Sequence, residues 1–481
     1  MGLHPPQRIH RSATSDVNPP GPNSSTSDRF WAPQSQPYPD GYPSGSGPRR
    51  GSLPVVATSP VPTSSVIELR RASASSQASH SSSDSSVAGA PRLSLSLPTM
   101  GSLARRREAA IASGEERQKV QWARRVMRYV EREHGTAAKV NDPTLLRWID
   151  DAMATINRRA GASPPDPEAL YLRGDLKASG NFSTYHVKDP RDAFTDFEKS
   201  GRAGFPASWY RIGRDYELHH SYALSKDAYE RGCQLQDTNS TFRMGRAYLF
   251  GQLKVKQDFE KALPLLRLAA DMANEDLPEP GFFYGQLHAG EYAHLNIPDE
   301  LIRPSPHGSP SSEQLALRYI ERAAYLNHAS AQLKLGWAYE YAKIQCPFDP
   351  LLSVQYYSLA SKGGKAEADV ALSRWFLCGA EGCFEKNEAL AFTFAEKATR
   401  RNLPAAEFAL AYYYEVGVGC DKDLPLAMKW YRRSAAQGNA DAQTRLTALA
   451  ASTDAAVSRS QYEAELDSQM TRGHTAARNL S

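Results

Sequence analysis

The sequence predicts an all-α protein, an α-solenoid of about seven helix-turn-helix repeats preceded by a long disordered tail rich in serine and proline. Three observations predict it. The stretch up to Met100 is Ser/Pro/Gly-rich and lacks lysine altogether, with runs such as "SASSQASHSSSDSSVAGA". Beyond it, small and aromatic residues recur together at a period of about 32 to 40 residues. Each recurrence holds two apolar-periodic segments of about a dozen residues around a short turn of Gly, Asp, Asn or Lys, the pattern of an antiparallel helix pair.

Residues 1–101 hold too few apolar side chains to offset the entropy of ordering and read as a disordered regulatory tail. Two arginines precede Ser52 in "RRGSLP" and Ser73 in "RRASAS", the arrangement that basophilic kinases prefer. Ser52 with its downstream Pro54 resembles a 14-3-3 docking motif, and "RLSLSLP" around Ser96 resembles one more loosely. Ser305 and Ser309 precede prolines and suit proline-directed kinases.

Residues 102–160 are expected to form two helices. Val120, Ala123, Met127 and Val130 share one stripe, Arg124, Arg125 and Arg128 lie opposite, and Gly135 ends the first helix. The second opens at Asp142-Pro143 and turns Leu146, Ile149, Met153 and Ile156 inward. Two roles suit the pair: a cap on the first repeat, or a basic amphipathic surface for an acidic membrane or a partner groove.

The repeats run over 165–449. "LAYYYEVGVG" has relatives centred on Gly174, Gly213, Gly245, Gly285, Gly336 and Ser373, with Ala411 in the glycine's place in the last copy. The second half, "AMKWYRRSAAQGN" from Ala427, matches segments from Ala193, Ala262, Ala316 and Ala389. A small residue one turn before an aromatic lets two helices approach while Tyr216, Tyr248, Tyr339 or Tyr414 fills the space beside it. In the last copy Gly417 and Gly419 form the turn, and Trp430 and Tyr431 are expected to pack beside Ala435 and Ala436. A Pro/Ser insertion near 303–312 should loop out, and 450–481 reads as a mostly disordered tail.

This pattern of Leu-Gly, Tyr, Gly-x-Gly-Val, Asp, Ala, Trp-Tyr, Ala-Ala and Gly-Asn resembles the Sel1-like repeat, a relative of the tetratricopeptide repeat. With a Ser-rich tail and two helices before the repeats, the chain resembles fungal chitin synthase regulatory factors and activator of C kinase proteins. The resemblance implies a protein-binding scaffold whose partners are chitin synthase, septum or cell-wall signalling proteins. With no apolar run of about 18 residues and no secretory signal, a cytoplasmic protein is expected, and the resemblance implies recruitment to the cell cortex or division septum. Members of that group often end in a prenylation box; "TAARNLS" has no cysteine, so membrane contact is expected only peripherally or through a partner.

Other classes find less support. With 23% charged residues and a formal charge of +4, mixed through the repeats, no basic stripe marks nucleic-acid binding. No phosphate loop, metal-ligand spacing or catalytic constellation stands out, so no enzyme and no cofactor are expected. His219 and His220 are adjacent and read as surface histidines, and Cys378 and Cys383 in "CGAEGC" as loop thiols. A general protein-quality adaptor is the alternative binding function.

Overall fold

The computed structural model describes residues 93–302 and 310–451. The expected pair of helices before the repeats is three: α1 (Met100–Ser113), α2 (Glu116–Glu133) and α3 (Pro143–Ala160), with a single 3-10 turn at Ala137–Lys139. Gly114 causes the extra break. It takes the left-handed conformation at φ 70°, and its N–H donates to the Ile111 carbonyl, ending α1. α2 then packs back on α1, with Trp122 Nε1 donating to the Leu103 carbonyl at 3.2 Å. Val120, Ala123, Met127 and Val130 are buried, joined by Trp122 and Val126. On α3, Asp142 accepts from the Thr144 and Leu145 amides at 2.8 Å, and Ile149, Met153 and Ile156 are buried. Leu145 takes the inward place expected of Leu146, which is half-buried. All three helices share one apolar cluster with Leu170, Leu172, Leu176 and Phe182 of the first repeat.

The described residues begin before the boundary expected at 101. Residues 93–99 are non-helical, and Thr99 caps α1 through a capping box with Ser102.

Seven helix pairs follow among the described residues. They are α4 (Pro167–Ser179) with α5 (Pro190–Arg202), α6 (Ala207–Leu218) with α7 (Tyr222–Gln234), and α8 (Thr238–Phe250) with α9 (Phe259–Asp271). The interrupted fourth pair is α10 (Glu279–His288) and α12 (Ser312–Tyr325), separated by a 3-10 turn at Ala293–Leu295 and the short α11 (Asp299–Ile302). Next come α13 (Ala329–Tyr341) with α14 (Pro350–Lys362), α15 (Ala366–Cys378) with α16 (Glu388–Thr399), and α17 (Pro404–Val416) with α18 (Leu424–Ala436). A last helix, α19 (Ala440–Ala451), runs past the expected end of the repeats at 449. Of the insertion expected near 303–312, residues 303–309, with Ser305 and Ser309, lie outside the described residues. Ser311 and Ser312 do not belong to a loop: Ser311 caps α12 in a reciprocal bond with Gln314.

One device sets the entry of most second helices. Asp189, Asp258, Asp349, Asn387 and Asp423 are N-caps with φ between −138° and −152°, and each side chain accepts from an amide two or three residues on. Their own N–H groups bond back to first-helix carbonyls: Asp258 to Tyr248 at 2.9 Å, Asp349 to Tyr339 at 3.0 Å, Asp423 to Tyr414 at 2.8 Å. A single residue thus ends the turn, starts the helix and fixes it to its partner. Asp349→Ala is expected to destabilise the chain by about 1 kcal/mol, read as a lower denaturant midpoint at unchanged slope.

Candidate partner-binding surface

Pairing within each repeat depends on a size match. The small first-helix residues lie against the second helix: a Cβ added at Gly174, Gly213, Gly245, Gly285 or Gly336 would stand 2.8, 2.5, 2.9, 2.7 or 2.6 Å from Phe197, Tyr229, Leu266, Ile320 or Tyr357. These large residues lie eight or nine positions after the second-helix cap. Where the sixth repeat has Ser373, the corresponding large position is Ala395, and the Ser373 hydroxyl donates to the Ala391 carbonyl at 2.7 Å. The seventh repeat sets Ala411 in the first helix and Tyr431 in the second, both fully buried. The side chains over the glycines therefore come from the second helices.

The first-helix tyrosines lie one turn further along. Tyr339 is buried and stacks on Tyr356 at 5.7 Å; Tyr216 and Tyr414 are half-buried, edge-on to Phe194 and Phe392 at 5.6 and 5.5 Å. Tyr248 carries Lys261 over its ring at 5.7 Å. Gly417 ends α17 at φ 80°. Gly419 lies so close to the preceding repeat that an added Cβ would stand 2.5 Å from the Glu388 carbonyl oxygen. Trp430 is half-buried beneath Arg433 at 5.2 Å.

Ala435 packs on the cluster that holds Tyr431, but the expected packing of Ala436 needs correcting. Ala435 is half-buried and Ala436 exposed; the small residue held inside is Ser434, whose hydroxyl donates to the Pro404 carbonyl at 2.8 Å. Two residues turn a helix by about 200°, which carries Ala436 to the outside. The caps likewise shift one alignment: Asn387 and Asp423 correspond, so Ala391, not Ala389, matches Ala427.

Successive repeats are joined by charge. Glu217 on α6 accepts from Tyr229 of its own second helix at 2.7 Å and from Arg243 of the next repeat at 2.5 and 3.2 Å. Glu340 on α13 accepts from Tyr357 at 2.6 Å and Arg374 at 2.5 Å. Glu415 on α17 accepts from Tyr431 at 2.8 Å and from Arg445 of α19. Each carboxylate thus joins three helices across a repeat boundary. Burial alone would raise the Glu217 pKa, but the hydrogen bond and charge of Arg243, with the Tyr229 hydroxyl, hold it below the ordinary 4.5. Its contribution to stability is therefore complete above the unfolded-chain value and is lost as pH falls through the lowered folded value. Glu217→Gln should be less stable than the parent at neutral pH, with the gap closing as acid unfolding proceeds below about pH 4.

First helices of successive repeats touch one another, α6 with α8, α13 with α15 and α15 with α17, as on the inner wall of a curved stack. On α13 the Lys334 ammonium lies 4.2 Å from the Trp337 ring centroid and 3.0 Å from Glu291, and Tyr341 is 6.1 Å from the same ring. A half-buried Trp beside Lys and Tyr is the composition of an interface anchor. Trp337 also packs against the apolar clusters on either side of it, and it is half-buried like Tyr216, Tyr414 and Trp430.

The arginines of α2 do not form an open basic face. Arg124 pairs with Glu168 at 3.3 Å, and both Arg124 and Arg128 pair with Asp276 in the turn after α9, while Arg107 of α1 pairs with Asp151 at 2.5 Å. Arg105 and Arg106 are exposed. His219 and His220 are exposed in the turn after α6. Cys378 and Cys383 flank a short loop closed by an Ala380–Phe384 bridge. Ser52 and Ser73 lie outside the described residues, and Ser96 is exposed. No helix among the described residues is long and apolar enough to cross a membrane.

A family model for the Sel1 repeat matches residues 238–274, 307–328, 329–365, 366–403 and 404–439. Chitin synthase regulatory factor 4 of Schizosaccharomyces pombe is 30% identical over 287 residues, 59% of this chain and 43% of that protein. Chitin synthase regulator SKT5 of Saccharomyces cerevisiae is 30% identical over 307 residues, 62% of this chain and 41% of that protein. Activator of C kinase protein 1 of the same yeast is 39% identical over 103 residues, 20% of this chain and 16% of that protein. The chain thus spans less than half the length of these curated relatives. Among solved structures, an Escherichia coli protective antigen with an SLR fold has a TM-score of 0.46 at 19% identity, covering 79% of this chain and 74% of its own. A Sel1 repeat protein from Oxalobacter formigenes has a TM-score of 0.42 at 19% identity, covering 75% and 97%.

Proposed function

Starting from a chain that carries Sel1 repeats, we propose that it is a non-enzymatic scaffold that activates or localises chitin synthase at the cell cortex or division septum. The observation that carries this is the 30% identity to two chitin synthase regulators over stretches as long as the whole solenoid. The repeats supply a continuous inner wall, and its Lys334, Trp337 and Tyr341 are the proposed anchor for the partner. The tight contacts of Gly174, Gly213, Gly245, Gly285 and Gly336 serve to hold that wall in shape. Arginine-flanked Ser52 and Ser73 are proposed kinase targets that adjust occupancy, with a 14-3-3 protein as one reader of the phosphate. A second reading, a cell-wall-integrity kinase pathway, is favoured by the short match to an activator of C kinase protein.

The test is proximity labelling with the full chain in a fungal cell. Enrichment of chitin synthase and septal proteins supports the proposal, and enrichment of kinase-pathway proteins without chitin synthase supports the second reading. Enrichment of neither set above a control rejects both.

A further inference from the structure

The stretch before α1 lies on the fourth repeat, bent at Leu93 and Ser94 and non-helical up to Thr99. The Leu95 N–H donates to the Tyr325 carbonyl at 2.7 Å, and Asn327 Nδ2 donates to the Leu95 carbonyl at 2.9 Å. A single residue is therefore held from both sides. The Tyr325 carbonyl is one of the last of α12, a group with no partner inside its own helix, so the second-helix end offers an acceptor ready for an incoming N–H. Asn327 stands in the turn at φ 67°, a conformation that asparagine tolerates, and its amide lies beside that acceptor. Two residues earlier, Leu93 packs on the apolar cluster of Ile320, Ala324, Ala331 and Leu335. Ser96 and Leu97 face solvent, the latter 51% exposed, and Arg132 of α2 donates to the Pro98 carbonyl at 2.7 Å.

Backbone pairing for affinity and alternate side chains for selectivity is how extended peptides are recognised elsewhere. We propose that the end of α12 and the turn to α13 form a binding site for a partner segment with leucines two residues apart. The chain's own Leu93-Ser94-Leu95 occupies that site in cis. The occupant is read from the segment already seated there: a leucine in the apolar cluster, a small polar residue, then a residue whose peptide groups are clamped. Partner binding at this site requires residues 93–97 to leave. A short tether gives the resident segment a local concentration on the order of millimolar, enough to exclude a weak competitor at micromolar levels. The inference rests on the scaffold reading, but its test uses a synthetic peptide and no fungal partner, so the two fail separately.

The experiment titrates a fluorescein-labelled peptide, RLSLSLPTM, into the full-length chain to millimolar concentration and reads anisotropy. Leu93→Asp, which drives the resident segment off the apolar cluster, should bind the peptide at least about tenfold more tightly than the parent. Adding Asn327→Gly, which keeps the turn but deletes the clamping amide, should reverse that gain. Hydrogen exchange should show the Leu95 amide protected in the parent and unprotected in Leu93→Asp. If Leu93→Asp does not fold, Leu95→Pro deletes the donated N–H directly and carries the same expectation. Equal binding by parent and variant, a gain that Asn327→Gly leaves intact, or equal binding of a scrambled peptide overturns the proposal. So does a dimer in which two copies exchange residues 93–97.

Discussion

Arg374→Met is expected to destabilise the chain by about 3–5 kcal/mol, the cost of leaving a buried charge without its partner. Glu340 is fully buried and accepts from both Arg374 and Tyr357. The arginine belongs to the sixth repeat, and the glutamate it bonds and the tyrosine that also donates to that glutamate belong to the fifth. Burial alone would lower the Arg374 pKa, but Glu340 beside it holds it raised and the guanidinium charged. Methionine fills part of the volume and none of the charge, so Glu340 must then either stay ionised in an apolar setting or take up a proton. Protonation is the cheaper course as pH falls, so the deficit should be largest at neutral pH and shrink toward pH 5. Because repeats contact mainly their neighbours, weakening one boundary should also divide the thermal transition into two steps. Replacing Glu340, Tyr357 and Arg374 together by apolar residues should cost less than Arg374→Met alone, since no charge is then stranded. An Arg374→Met chain as stable as the parent at neutral pH would show that the carboxylate is not held by this pair.

The sequence made the repeat legible because small residues recur at a fixed distance from large ones, and that distance is set by helix geometry. Gly213, Gly245 and Gly336 could be located from spacing alone. What lay over them could not: Tyr229, Leu266 and Tyr357 come from the other helix, and a register across a turn is fixed only by the cap. That is why the sequence pattern alone pairs Ala389 with Ala427, while the caps at Asn387 and Asp423 select Ala391. The charged links were hidden for a related reason. Glu340 and Arg374 are 34 positions apart, and a sequence rich in both signs gives no reason to join that pair over another. The break at Gly114 went unread because the apolar stripe that marked the first helix begins only at Val120, beyond it. The docking of Leu93 and Leu95 had no local signal, because its partners lie more than 200 residues away, Asn327 at a separation of 232.

The size match within a repeat gives the second large effect. Gly336→Ala should cost about 1–3 kcal/mol, because the new methyl would stand 2.6 Å from the Tyr357 ring and both belong to helices packed on either side. Tyr357→Ala should cost about 3–5 kcal/mol by opening a cavity where the ring now lies, and it also removes the hydroxyl that Glu340 accepts from. The two changes act on the same space in opposite directions. Gly336→Ser with Tyr357→Ala copies the residue pair of the sixth repeat, Ser373 with Ala395, where the hydroxyl bonds to the facing helix and to Tyr413 of the next repeat. The double variant should therefore be more stable than the sum of Gly336→Ser alone and Tyr357→Ala alone predicts, with a coupling of about 0.5–3 kcal/mol. Denaturant unfolding of the four chains measures it directly. Strict additivity would mean that Tyr357 is held by its hydroxyl and not by the space that Gly336 leaves, and the small residue in each first helix would then need another explanation.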